Sequence, residues 1–168
     1  MRQLFICIFI VIPLSSLNAS WQFGFDLRDV DSAFMGAMRI DAEVSYRWDG
    51  VRVTLPLRYS SSYSYELSFF ETGLAVSVYP LDDLGLYIGA SMLRAGYFWG
   101  LEAPDERFML FSEVFSGWTF SFPWFFIEPR LCVMDVFGTE EGRIGDLREA
   151  IPQYSKVRIS LIVGVELP

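Results

Sequence analysis

Histidine is absent from all 168 residues. Without it the chain has no Ser-His or Cys-His nucleophilic pair, and it lacks the commonest metal ligand and general base. Cysteine is scarce too, with only Cys7 and Cys132. Cys7 lies inside an apolar N-terminal run, so a chain cut after residue 19 keeps one thiol and no intramolecular disulfide. Cys132 then reads as a small strand hydrophobe. Beyond residue 20 no window is apolar for the about 20 residues that a membrane helix needs. Lysine and arginine form no cluster, and the formal net charge of −8 argues against nucleic acid as a partner. No phosphate loop, zinc spacing or EF-hand pattern occurs, and there is no internal repeat, linker or low-complexity tract. These absences point to a chain with no cofactor, no metal site and no catalytic residue.

What is present is apolar surface. Hydrophobic residues make up 52% of the chain and aromatics 17%, and the mean hydropathy is positive. The first twenty residues, MRQLFICIFIVIPLSSLNAS, set Arg2 before an apolar run from Leu4 to Leu14, followed by a small, polar stretch. That is the layout of a secretory signal peptide, cleaved after Ala19. The expected organisation is a signal peptide over 1–19 and a single domain over 20–168, since the length suits one domain.

That domain alternates. In MRIDAEVSYRWDGVRVTLPLRY the residues Met38, Ile40, Ala42, Val44, Tyr46 and Trp48 are apolar, and the residues between them are polar or charged. After Asp49-Gly50 the rhythm resumes with Val51, Val53, Leu55, Leu57 and Tyr59. A period of two is the signature of a strand with unlike faces, so this stretch is a hairpin. The same pattern recurs at Trp21–Arg28, Phe69–Tyr79, Leu86–Tyr97, Phe108–Phe122, Phe125–Val136 and Lys156–Leu167, which makes eight strands. The faces of Leu86–Tyr97 differ mainly in size. Tight turns at Trp48-Asp49-Gly50, Pro80–Gly85 and Phe122-Pro123-Trp124 alternate with longer stretches near 29–37, 60–68, 98–107 and 137–155. The expected fold is all-β: an eight-stranded antiparallel up-and-down transmembrane β-barrel whose termini share the short-turn end. Pro56 and Pro129 fall inside strands, where bulges are expected.

Three features turn the apolar face outward, toward lipid. Several strands reach the about 9–11 residues that span a bilayer, whereas globular strands average about 5–6. The polar face is nearly neutral although the chain is acidic: Arg28, Arg39, Arg47, Arg52, Arg58, Arg130, Lys156 and Arg158 stand against Asp26, Asp41, Glu43, Glu71, Glu113, Glu128 and Glu166. A buried ionic face must pair its charges, because an unpaired one costs several kcal/mol, so these residues are read as a lumen charge network. Aromatics gather at both ends: Trp21, Trp48, Tyr79, Trp118 and Trp124 at the short-turn end, and Trp99 with Phe69, Tyr97 and Phe108 near the other rim. Two aromatic belts around an apolar band suit a lipid interface.

In this plan the chain resembles the small eight-stranded outer-membrane β-barrel proteins of the OmpA, OmpX and OmpW kind, and among them a compact spirochaetal barrel. GLAVSVYPLDDLGLYIGASM (Gly73–Met92) and PWFFIEPRL (Pro123–Leu131) are the most similar stretches. The resemblance implies an outer-membrane location, lipid and the barrel assembly machinery as partners, a monomer, and contacts with envelope or extracellular partners through the loops. Such chains usually finish on an aromatic residue, whereas this one ends Glu166-Leu167-Pro168.

Barrel enzymes of similar architecture lean on a histidine. Asp41 and Glu43 could form an acid–base pair, but beside several arginines they read as members of an ion-paired lumen. Three functions of different class follow. The first is a structural or surface-interaction barrel with a packed lumen, and the second is a conduit or binding barrel for small, apolar solutes. The third is a soluble lipocalin-like binder, which requires the apolar face inside. Eight strands leave room for side chains or for one small ligand, and the number of interior charges favours a filled lumen. Ile144, Leu147 and Ile151 recur at helical spacing, which marks a short helix that either caps the barrel mouth or binds a partner.

Overall fold

The computed structural model describes residues 19–32, 37–81, 84–100, 103–151 and 154–167. The export segment read in 1–19 lies outside them, apart from Ala19. The strands are β1 (Ser20–Asp26), β2 (Ala37–Trp48), β3 (Val51–Ser62), β4 (Leu67–Leu81), β5 (Leu86–Gly100), β6 (Phe108–Trp118), β7 (Phe120–Ser121), β8 (Phe125–Met134) and β9 (Val157–Leu167). A short helix, α1 (Asp29–Ser32), follows β1, and α2 (Glu141–Ala150) lies between β8 and β9. The two-residue β7 continues β6 past Thr119 in unchanged register, so the nine strands make eight staves.

All pairings are antiparallel, and β1 pairs with β9 from Trp21↔Leu167 to Asp26↔Ile162. Closure removes the open edges that a sheet must otherwise protect. The β2–β3 turn shows how local chemistry sets register. Asp49 and Gly50 both take positive φ, 48° and 73°, which is the two-residue type I′ geometry that suits the twist of a hairpin. Trp48 therefore opposes Val51, and the pairing runs unbroken to Ala37↔Ser62.

The expected bulges at Pro56 and Pro129 are not found. Register is continuous across both prolines. At Pro56 the β3–β4 ladder omits its bonds between Thr54 and Leu57, and the Thr72 hydroxyl donates to the Pro56 carbonyl at 2.9 Å. Opposite Pro129 and Glu128 the ladder leaves out Trp118 and Thr119, where β6 gives way to β7. The register shifts lie instead in the β4–β5 ladder, at Leu74/Val76 and Val78/Leu81 of β4, and in the β5–β6 ladder, at Ser91/Arg94 of β5.

The faces sort by polarity in the sense opposite to a soluble barrel. Outward lie Phe23, Leu55, Leu74, Ile88, Leu131 and Ile159, the last 60% exposed. Inward, Arg52, Glu71 and Glu128 have no exposed surface. A lipocalin-like barrel with an apolar interior is therefore not what this chain forms. Interior aromatic rings lie over glycines of other strands: Phe126 on Gly164 of the adjoining β9 and on Gly24 one strand further, Tyr87 on Gly117, Phe115 on Gly89 and Phe69 on Gly96. At Gly164 a Cβ would stand 2.1 Å from the Phe23 carbonyl and 2.6 Å from the Phe126 ring. Backbone cannot retreat as a flexible side chain can. Gly164→Ala is expected to cost about 1–3 kcal/mol by overpacking, read as a lower urea midpoint for the folded protein. A change below a few tenths of a kcal/mol would contradict this packing.

At the loop end the interior changes character. Ile144, Leu147, Ala150, Ile151 and Tyr154 close against Ala37, Leu67, Phe69, Phe98, Met109, Phe111 and Met134 in one buried apolar cluster. The helical spacing seen in the sequence thus becomes α2, a stopper in the barrel mouth. Asp135 holds the approach to it. Its carboxylate accepts from Thr139 N and Oγ1 and from Glu140 N, each at 3.0 Å.

Candidate functional site

Beneath the stopper the lumen is ionic. Buried on the strands are Arg39, Arg52, Arg58, Arg94, Arg130 and Arg158, and Asp26, Asp41, Glu43, Glu71, Glu113 and Glu128. Cations and carboxylates are equal in number, so the interior is formally neutral inside an acidic chain. Alternation explains why they converge: each stands on the polar phase of its strand, and closure brings all eight polar faces together.

The upper tier is built around Glu71 and Asp41. Glu71 accepts from Arg58, from Arg94 at 2.7 Å and from the Tyr154 hydroxyl. Asp41 accepts from Arg58 Nε at 2.6 Å and from Arg39 at 3.3 Å. Arg39 Nε also lies 3.1 Å from Asp29 of α1. Burial raises the Asp29 carboxyl to about 6, against the pull of Arg39. Arg94 bridges on to Glu113, which Arg158 approaches at 3.6 Å. Burial, and then the Glu71 charge, push the Tyr154 phenol well above its usual range. It therefore stays a neutral donor, tying the stopper to the charges below.

The lower tier centres on Glu128. It accepts from Arg52 at 2.5 and 3.2 Å, from Arg130 at 2.5 and 3.0 Å, from Thr119 at 2.9 Å and from Tyr87. Arg130 also grips Glu43 bidentately, at 2.8 and 2.9 Å, the fork geometry that makes Arg–carboxylate pairs strong. Arg130 is thus the partner of Glu43. The Arg52 guanidinium lies 4.5 Å from the Tyr87 ring centre, a cation–π distance. Asp41 in the upper tier and Glu43 in the lower are both held by arginine donors, which leaves them as ion-pair members rather than a free acid and base.

Several residues of the expected lumen set lie elsewhere. Arg28 follows the end of β1, is exposed, and donates to the Ile159 carbonyl. The strand stops two residues earlier than the alternation suggests, because Asp26 turns its carboxylate back onto the amides of Arg28 and Leu161 at 3.1 and 3.0 Å. Lys156 precedes β9 and lies outside the wall, 3.5 Å from Glu141. Arg47 and Glu166 are half-buried at the short-turn mouth. There Arg47 stacks 4.1 Å from the Tyr79 ring, and Glu166 accepts from Ser20 at 2.6 Å.

Tyr79 does not join the outer aromatics. It continues the inward phase of Glu71, Ala75 and Ser77, is 5% exposed, and its hydroxyl pairs with Thr119 at 3.2 Å. Phe69 is likewise buried inside. Trp21, Trp48, Trp99, Trp118 and Trp124 do lie on the outer surface.

Arg94 is the interior cation missed in the sequence. The shift between Ser91 and Arg94 reverses the phase of β5, so that Gly89 and Ser91 point inward below it and Arg94, Gly96 and Phe98 above it. The available signal was a lone arginine within the apolar run Met92–Trp99. Among the described residues, no three potential metal ligands gather.

Fold and interior together define a class: a closed eight-stranded antiparallel β-barrel with an ionic interior and an apolar exterior. No protein-family model matches the chain, and neither does any curated protein. Among solved structures it is similar to the crystal structure of Neisserial surface protein A, at 12% identity and a TM-score of 0.48. The match covers 89% of this chain and 94% of that one.

Proposed function

We propose that this chain is a non-enzymatic integral outer-membrane barrel whose packed lumen is a scaffold for surface loops. One observation carries the reading. Arg52, Glu71 and Glu128 are fully enclosed, while the outward face is a band of Leu, Ile, Val and Phe bounded by tryptophans. Facing water, that band would be far larger than the few hundred Å² of contiguous apolar surface a soluble monomer usually exposes. Against hydrocarbon it costs nothing, and strands that satisfy one another's backbone groups by closure are one of two ways to cross a bilayer.

Export by the segment 1–19, insertion by the barrel assembly machinery, lipid as the covering partner and a monomeric state all belong to this proposal. So does the orientation, with the short turns periplasmic and α2 at the outer surface. The filled interior favours a scaffold over a conduit for small solutes. Carbonate or urea washing of membranes is expected to leave the protein in the pellet, and reconstituted bilayers are expected to show no steady ion conductance. Release as a folded soluble monomer would overturn the membrane reading. A stable conductance would favour the conduit instead.

A further inference from the structure

Charge is unevenly divided along the barrel axis. The interior is balanced, yet the loop segments 27–36, 63–66, 101–107 and 135–156 hold eleven carboxylates against five cationic side chains. These segments thus account in sequence for most of the net charge of −8.

Within that acidic surface lies a bowl of about 260 Å³. Its floor is apolar, made by Leu67, Phe98 and Leu147. Tyr65, 42% exposed on the β3–β4 turn, forms one wall. The rim carries Asp146 and Glu149, exposed and three residues apart on α2, so that they share one helix face. Arg143 also lines the bowl, but its guanidinium is committed: it donates to Glu106 at 2.5 Å and to the Phe108 carbonyl at 2.7 Å, and lies 3.1 Å from Glu140. Among the described residues, Asp146 and Glu149 make no ion pair.

We infer that this bowl is a binding site for a small organic ammonium bearing one aromatic ring or a short alkyl chain. The apolar body would cover the floor, and the ammonium would lie between the two carboxylates and the Tyr65 face, where a cation is attracted to the ring. An anion would meet the net negative rim, and the few convergent polar groups above an apolar base match the usual anatomy of ligand sites. The volume is below the about 300 Å³ at which drug-sized sites begin, which fixes the ligand as small. The site is made by α2, the β3–β4 turn and the buried, inward-facing strand residues Leu67 and Phe98, so it does not rest on what covers the barrel wall.

The test uses the full chain folded in detergent, with folding checked by heat-modifiable migration, and three fluorinated probes followed by ¹⁹F NMR. These are 4-fluorophenethylammonium, neutral 3-(4-fluorophenyl)propan-1-ol and anionic 3-(4-fluorophenyl)propanoate, each corrected for partition into protein-free micelles. The ammonium is expected to bind saturably, at least tenfold tighter than the alcohol, and the carboxylate is expected not to saturate. Asp146→Asn with Glu149→Gln should weaken the ammonium at least tenfold, and Tyr65→Ala should weaken it severalfold. All three side chains are exposed, so the barrel should keep its fold. Equal binding of the three probes, no saturable binding of the ammonium, or wild-type affinity in the neutralised variant would each overturn the site.

Discussion

Replacing Glu128 by glutamine is expected to destabilise the folded barrel by about 3–5 kcal/mol, the usual cost of removing one partner from a buried ion pair. The carboxylate accepts from Arg52, Arg130, Thr119 and Tyr87. Arg130 would keep Glu43, but Arg52 has no other carboxylate partner among the described residues and would remain enclosed with its charge uncompensated. The pair is a better target than either residue alone. Arg52→Met combined with Glu128→Met takes both charges out together, and its loss should be well below the sum of the two single changes. Urea titrations of the four proteins in lipid vesicles provide the cycle. A Glu128→Gln loss below about 1 kcal/mol would mean that water, not protein, solvates these charges.

Leu55→Arg is expected to cost about 2–4 kcal/mol in vesicles, the penalty for a cation on the lipid face near mid-bilayer. Leu55 opposes Val44 in the β2–β3 ladder and points outward, 44% exposed. Val51, on the same face but beside Trp48 at the turn, is the depth control. Val51→Arg should cost only about 0–1 kcal/mol, since the penalty falls toward the interface. Were the wall covered by water, both changes would be ordinary surface substitutions within about 0.5 kcal/mol of neutral. The gradient between the two positions therefore measures what surrounds the barrel. Equal, small effects at both would remove the membrane from the proposal.

Much of the barrel was legible because a strand shows its two faces in turn. Met38 to Tyr59 alternates on both sides of the Asp49-Gly50 turn, so one look at Arg39, Asp41 and Glu43 against Ile40, Ala42 and Val44 predicts the hairpin and both its faces. Phase is also the weak point of such a reading. It fails where a strand skips, as between Ser91 and Arg94, and it depends on knowing where a strand stops, as at Asp26 before Arg28. Tyr79 shows a third failure. Its type suggested the outer belt, but its parity with Glu71 and Ser77 places it inside, and parity decides because the backbone fixes side-chain direction before chemistry is consulted.

By itself, then, the sequence determined the strand count, the alternation of turns and loops, and the polarity of the two faces, all of which are local or periodic properties of consecutive residues. Only the tertiary structure decided the pairing of the charges. Glu43 meets Arg130, and Glu71 meets Arg58, Arg94 and Tyr154, across the barrel or between strands whose relative height is set by closure and by the skips in β5. It also decided the stopper. Ile144, Leu147 and Ile151 could have served a helix face turned toward any apolar surface, and it is the ring of Leu67, Phe98 and Met109 at the mouth that takes them in. Long-range geometry of this kind has no periodic trace in a single chain, because the partners are separated by tens of residues and come together only when the sheet closes on itself.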